Sequence, residues 1–187
     1  APKIDDEKYV DFLLNICRKD NINMITTFID PEIEVLAKNR DKFEELGVEV
    51  LAPYERTAQL CFDKYEMFKY LQEYNIKTIL TFGDIESFQK AYKERKISFP
   101  VFVKPRTGSG SVGARKVEHM ESLQIILQAD TSLIIQEFMN GEDLDADVYI
   151  DTVSHQPVAI FTKKKISTTI GGANKTVSFK DNRLFEI

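Results

Sequence analysis

Apolar residues recur at helical spacing over residues 8–19 (KYVDFLLNICRK), and the run INMITTFI (22–29) is continuously apolar and β-rich. The pattern predicts a helix leading into a buried strand. After Asp30 and Pro31 a second helix is predicted over EVLAKNRDKFEEL, stopped by Gly47 where a left-handed residue is favoured, and VEVLA (48–52) reads as another short strand. Helix, strand, helix, strand is half of a parallel α/β layer. A doubly wound domain ordinarily opens with a strand, so a preceding strand is expected to be missing and the polypeptide reads as truncated at its start.

Pro53 marks a boundary. TAQLCFDKYEMFKYLQEYN (57–75) predicts one or two helices, IKTILTF (76–82) a strand, and DIESFQKAYKERK (84–96) a helix capped by Asp84. SFPVFVKP, RKVEH and SLIIQEFM read as strands, with a helix over ESLQIILQA between the last two. EDLDADVYID alternates strictly, placing Leu144, Ala146, Val148 and Ile150 on one face and acids on the other, the signature of a one-sided antiparallel strand. PVAIFTKKKIS is its expected partner. The fold class is therefore α/β followed by α+β, with no internal repeats.

Composition narrows the function classes. With 43% apolar residues in 187, the chain can bury a core. No apolar run reaches membrane-spanning length, and APKIDDEKYV lacks the basic start and apolar centre of a signal peptide, so a cytoplasmic protein with no membrane partner is expected. Cys17 and Cys61 lie in apolar helical patterns without CxxC spacing and are expected to be buried, reduced thiols. His119 and His155 fit no zinc pattern. Residues 157–187 carry six basic and two acidic groups, a net +4 against −9 for the rest. An acidic chain without an RNA-binding signature argues against nucleic acid as partner; a small phosphorylated ligand suits the basic segment better.

The stretch VFVKPRTGSGSVGARKV (101–117) carries the candidate chemistry. Gly108, Gly110 and Gly113 fit GxGxxG, a weak signal alone. A Rossmann loop opens a helix, but ARKVEH follows as strand; a Walker loop needs Gly-Lys-Ser/Thr; a kinase loop precedes its lysine, whereas Lys104 comes before the glycines. What remains is a strand, a glycine turn and a returning strand. Its main-chain N–H groups can approach phosphate oxygens, or it is a flexible surface hairpin.

Three separate segments in order resemble the ATP-grasp superfamily: DKYEMFKYLQEYNI its opening helix, PVFVKPRTGSGSVG its lid strand and loop, IIQEFMNGEDLDADVY its nucleotide-binding strand pair. ITTFIDPEIEVLAKNRDKFEELGVEVL resembles the preceding Rossmann-like (pre-ATP-grasp) domain of carbamoyl phosphate synthase large subunits and their single-unit relatives. The resemblance implies residues 1–53 as part of that domain and 54–187 as an ATP-grasp domain incomplete at its end, its lid subdomain at about 84–155. It implies phosphate contacts from Lys64 and Lys104, a lid of Ser109, Gly110 and Ser111 over the β- and γ-phosphates, and base contacts from the main chain of Glu137 and Met139 with Phe138 in an apolar surround. It also implies Asp143 on the ribose and Lys165, within the lysine-rich 161–166 strand and 170–175 loop, near phosphate or substrate. A solvated surface charge stays open for each lysine, and a solvated strand face for Asp143, Asp145 and Asp147. A calcium loop over DLDAD fails, because Val148 and Ser154 stand where a glycine and a bidentate acid are needed.

The implied reaction is ATP-dependent ligation through an acylphosphate, joining a small carboxylate to an amine or ammonia, with ATP and Mg²⁺ as cofactors. A metal-holding Glu-x-Asn-Pro-Arg-like segment is lacking and Glu186 is in no matching context, so the metal ligands are expected outside this chain. The carbamoyl phosphate synthases proper use arginines where Lys64 and Lys104 stand. The alternative is a non-catalytic nucleotide-binding module or one piece of a split enzyme, with a second copy or a complementing C-terminal fragment as macromolecular partner.

Overall fold

The computed structural model describes residues 1–169 and 172–182. They divide into two compact units, one of Ala1–Gly83 with Arg106–Gly108, the other of Asp84–Pro105 with the residues from Ser109 on.

The first unit runs α1 (Tyr9–Lys19), β1 (Met24–Thr26), α2 (Asp30–Lys38), α3 (Arg40–Glu44), β2 (Glu49–Leu51), α4 (Glu55–Phe62), α5 (Lys64–Glu73) and β3 (Thr81–Phe82). β1 and β2 pair in parallel with Ile25 opposite Val50, the parallel layer that the alternation of helix and strand predicts. Leu14 and Cys17 of α1, Leu36 of α2, Phe43 of α3 and Val48 and Val50 close one apolar core. Gly47 takes φ +73° after α3, where a side chain would be strained.

Four expectations change here. The strand in 22–29 is three residues long and only Ile25 is partly shielded, while Phe28 is 93% exposed. A strand sends alternate side chains to opposite faces, so a continuous apolar run cannot all be buried when only one face meets the core. The single helix expected after Pro31 is two: Pro31 sits in the first turn of α2, where its missing N–H costs nothing, and Asn39 interrupts with its side-chain amide on the Val35 carbonyl at 2.9 Å. IKTILTF forms strand only at Thr81–Phe82. Cys17 is buried but Cys61 is exposed. Its helical stripe, shared with the buried Ala58, runs out where α4 ends at Phe62 and opens onto a cavity that Cys61 itself lines.

The second unit contains α6 (Ile85–Lys93), β4 (Val101–Pro105), β5 (Arg115–Val117), α7 (Met120–Ala129) and β6 (Leu133–Glu137), then β7 (Leu144–Ile150), β8 (Pro157–Thr169) and β9 (Gly172–Ser178). Asp84 caps α6 as expected, accepting from the Ser87 amide at 2.7 Å. β4 lies between β6 and β5, antiparallel to both. Phe88, Val101, Val103, Leu123, Ile134 and Ile135 are almost wholly buried. The alternating segment pairs with β8 as predicted, Leu144 opposite Lys164, but its apolar face is not buried: Leu144, Val148 and Ile150 are 46–50% exposed. Residues 172–175, expected in a loop, belong to β9; residues 170 and 171, like Glu186, lie outside the described residues. β8 is longer than β7 and offers its other edge, so pairing rather than intrinsic propensity makes a strand of GANKTVS.

Candidate functional site

β4 alternates cleanly: Val101 and Val103 point into the core, so Phe102 and Lys104 occupy the opposite face. Cross-strand partners share a face, which sets Lys104 beside Ile134, and Phe102 between Gln136 and Lys116. The turn from β4 to β5 then holds four residues at positive φ: Gly108 (95°), Gly110 (72°), Ser111 (58°) and Gly113 (75°). Glycine takes these angles without strain, and at Gly113 a Cβ would stand 3.3 Å from the Pro105 ring, so the loop closes tightly there. Ser109 and Ser111 are exposed. The hairpin is the strand–turn–strand form that excludes a Rossmann or Walker loop.

Glu137 ends β6 opposite Val101. Phe138 follows with the Lys116 ammonium 4.9 Å from its ring centroid, and Met139 is 61% exposed. Glu137 and Phe138 line a cavity of about 230 Å³ together with residues 95–100.

Asp143 and Lys165 are brought together. The Lys165 amide donates to the Asp143 carbonyl at 3.1 Å, and its ammonium stands 3.1 Å from both Asp143 Oδ2 and Asp145 Oδ1. Hydrogen bonds to Asp145 and Asp143 push the Lys165 pKa above its ordinary value. Lys163 pairs likewise with Asp147 at 2.5 Å, and Lys164 with Glu142. The acids in and just before β7, open in the sequence as a solvated face, are thus partnered by the lysines of β8.

Lys64 opens α5 in the first unit. Asp63 caps that helix, accepting from the Tyr65 and Glu66 amides at 3.0 Å each. The Lys64 ammonium donates to the Gly108 carbonyl at 2.7 Å, and burial draws its pKa down against the pull of Asp63 and Asp30. Beside it Arg106 grips both oxygens of Asp63 at 2.8 and 2.7 Å and Glu66 at 2.7 Å. Burial alone would raise the Asp63 pKa, but the Glu66 amide, Arg106 and the Tyr65 amide hold it below the usual carboxylate range. Arg106 and Glu66 escape sequence reasoning because they lie 40 residues apart; the one local signal was an Asp preceding a helix. A cavity of about 230 Å³ in the same unit is lined in part by Asp30, Glu34, Cys61, Phe62 and Lys64.

Among the described residues no three His, Cys, Asp or Glu side chains converge to hold a metal ion, and no helix is long and apolar enough to cross a membrane.

Comparison with known proteins matches residues 61–178 to a family described as ATP-grasp domain, and residues 1–51 to one described as PylC-like, N-terminal domain. The chain is 28% identical to the phosphoribosylamine–glycine ligase of Halalkalibacterium halodurans over 155 residues, 75% of this chain and 35% of that one. It is 32% identical to D-alanine–D-alanine ligase B of Clostridium perfringens over 99 residues, 50% of this chain and 32% of that one. Among solved structures, the biotin carboxylase domain of Hydrogenobacter thermophilus 2-oxoglutarate carboxylase, a dimer with MgADP, ADP and bicarbonate, superposes with a TM-score of 0.68 at 15% identity. That match covers 92% of this chain and 41% of the other. The chain therefore spans about a third of the length of these curated relatives.

Proposed function

This chain belongs to the ATP-grasp family, a mixed α/β fold with a pre-ATP-grasp N-terminal region, and from that premise we propose that it is the nucleotide-binding portion of an ATP-dependent carboxylate–amine or carboxylate–ammonia ligase. The observation that carries the reading is the β4–β5 hairpin, in which a strand-borne lysine runs directly into a turn with four left-handed residues. Such a turn presents main-chain N–H groups to an anion, and Lys104 adds a point charge.

ATP would supply the phosphoryl group that activates the carboxylate as an acylphosphate. The protein's part is positioning and charge stabilisation. We assign Lys104 and Lys64 to the phosphates, and Ser109, Gly110 and Ser111 to a cover that keeps water from the activated carboxylate. The main chain of Glu137 and Met139, with Phe138, is assigned to the base, and Asp143 to the ribose hydroxyls. Asp143 now shares Lys165 with Asp145, so a ribose could take its exposed oxygen while Asp145 retains the lysine. Mg²⁺ would neutralise charge between the β- and γ-phosphates, but no ligand of this chain is assigned to it.

The relatives named as phosphoribosylamine–glycine and D-alanine–D-alanine ligases support an amine acceptor in general. The carbamoyl phosphate synthase-like form, with ammonia as the amine, is the finer proposal and rests on the order of the sequence motifs. A second copy or a complementing C-terminal fragment is the proposed macromolecular partner. Calorimetric titration with ADP and ATP, with and without Mg²⁺, tests the site: Lys104→Met is expected to weaken binding by about 1.5–3 kcal/mol, the range for a charged hydrogen bond. Unchanged affinity overturns the assignment.

A further inference from the structure

We infer that Arg106 is a positioning residue for phosphate recognition, one that clamps residues 106–108 to the first turn of α5 and keeps the Lys64 ammonium free of the acids at the start of that helix. The inference rests on the nucleotide reading above only for what Lys64 contacts.

The clamp has two layers. The side chain forms ion pairs on both sides of Lys64, with Nε 2.7 and 2.8 Å from the Asp63 oxygens and Nη2 2.7 Å from Glu66, and its guanidinium carbon lies 5.5 Å from the Tyr65 ring centroid. The main chain of the same segment holds Lys64 itself. The Arg106 carbonyl accepts from the Lys64 amide at 3.1 Å, and the Gly108 carbonyl accepts from its ammonium at 2.7 Å. A planar guanidinium can grip one carboxylate through both oxygens while reaching a second; an ammonium cannot.

The charge arrangement gives the clamp its consequence. Asp63 and Glu66 are the acids nearest Lys64 along the chain; Arg106 pairs with both, and Glu66 is shared with Lys69. Lys64 contacts only neutral carbonyl oxygens and forms no ion pair among the described residues. A carbonyl is a weaker partner for an ammonium than a phosphate oxygen, so an incoming anion displaces it readily. Without Arg106, Glu66 would keep its ion pair with Lys69 at 2.7 Å, but the Asp63 carboxylate would stand without a cationic partner beside Lys64 and capture its ammonium.

The test uses the full chain with Arg106→Gln, Arg106→Lys and the double variant Asp63→Asn/Arg106→Gln, in which Asn retains the helix cap. Arg106→Gln is expected to speed hydrogen exchange at the Lys64 amide and to weaken ADP binding about tenfold, the loss of one charge-assisted contact. Arg106→Lys falls between, and the double variant recovers most of the ADP affinity because the competing charge is gone. A purely structural role for Arg106 predicts no such recovery. Amide protection in α1 reports that the variants remain folded. Unchanged exchange at Lys64 overturns the clamp. Wild-type ADP affinity in Arg106→Gln, or no recovery in the double variant, overturns the positioning role. If the unsubstituted chain binds no ADP, the nucleotide reading and the positioning role fall together, while exchange at Lys64 still decides the clamp.

Discussion

The pair β1–β2 and the sheet β7–β9 are opposite solutions to holding strands together. β1 and β2 are three residues each, yet α1, α2 and α3 cover them and bury Leu14, Leu36, Phe43, Val48 and Val50. Among the described residues β7, β8 and β9 are the longest strands, seven, thirteen and seven residues, and nearly every described side chain on them is partly or fully exposed. Ladder hydrogen bonds and cross-strand ion pairs hold the second arrangement; removal of apolar area from water holds the first. Strand length and burial are thus independent, and exposed ion pairs contribute little beside a core.

The largest effect expected from this difference is at Phe43, which is fully buried: Phe43→Ala should destabilise the first unit by about 3–5 kcal/mol in chemical denaturation. A loss below about 1 kcal/mol would mean that the small core relaxes around the cavity, and the contrast between the two regions would shrink.

Next comes Asp63→Ala, which removes a helix cap and an ion pair from the first unit and should cost about 1–2 kcal/mol at neutral pH. Asp63 titrates below its ordinary value of 3.8, so its contribution is full above that pH and is lost as pH falls through the depressed value. The variant's deficit should therefore narrow on acidification. A deficit that does not change with pH would leave the cap, and not the charge, as the source.

Tyr9 sharpens the comparison without a large energy at neutral pH. Burial, with its hydrogen bond to Glu32, pushes the phenol up to about 12, from 10.0. The folded state then holds its proton more tightly, so stability is full below pH 10 and declines as pH rises towards 12. The phenolate absorbance of the folded chain, compared with Tyr9→Phe, should show one group titrating late; a midpoint near 10 would show that the α1 face is open to water.

The smallest effects belong to β7 and β8. Val148→Thr and Lys163→Ala should each change stability by less than about 1 kcal/mol, and the latter's effect should fade with added salt. Amide exchange in β7–β9 should be faster than at Val101, Val103 and Ile135. A loss of several kcal/mol at Val148 would mean that the exposed face is covered in solution.

Local chemistry alone determined a good part of this protein. Asp84 before a run of helix formers, Gly47 after one, strict alternation over 144–150 and the strand–glycine–strand order after Lys104 each depend on neighbours a few residues away, so they were legible directly. Tertiary structure decided what depends on a second segment. How much of 22–29 becomes strand, whether Cys61 is covered, and that GANKTVS pairs with β8 all turn on packing or an available edge, which periodicity does not encode. The same holds for charge. Asp143 and Lys165 were each readable as candidates, but their pairing depends on antiparallel register across a hairpin, and Arg106 meets Asp63 and Glu66 only because a loop some forty residues on folds back to the start of α5. Electrostatic partners are set by distance in space, and the linear chain records only distance along itself.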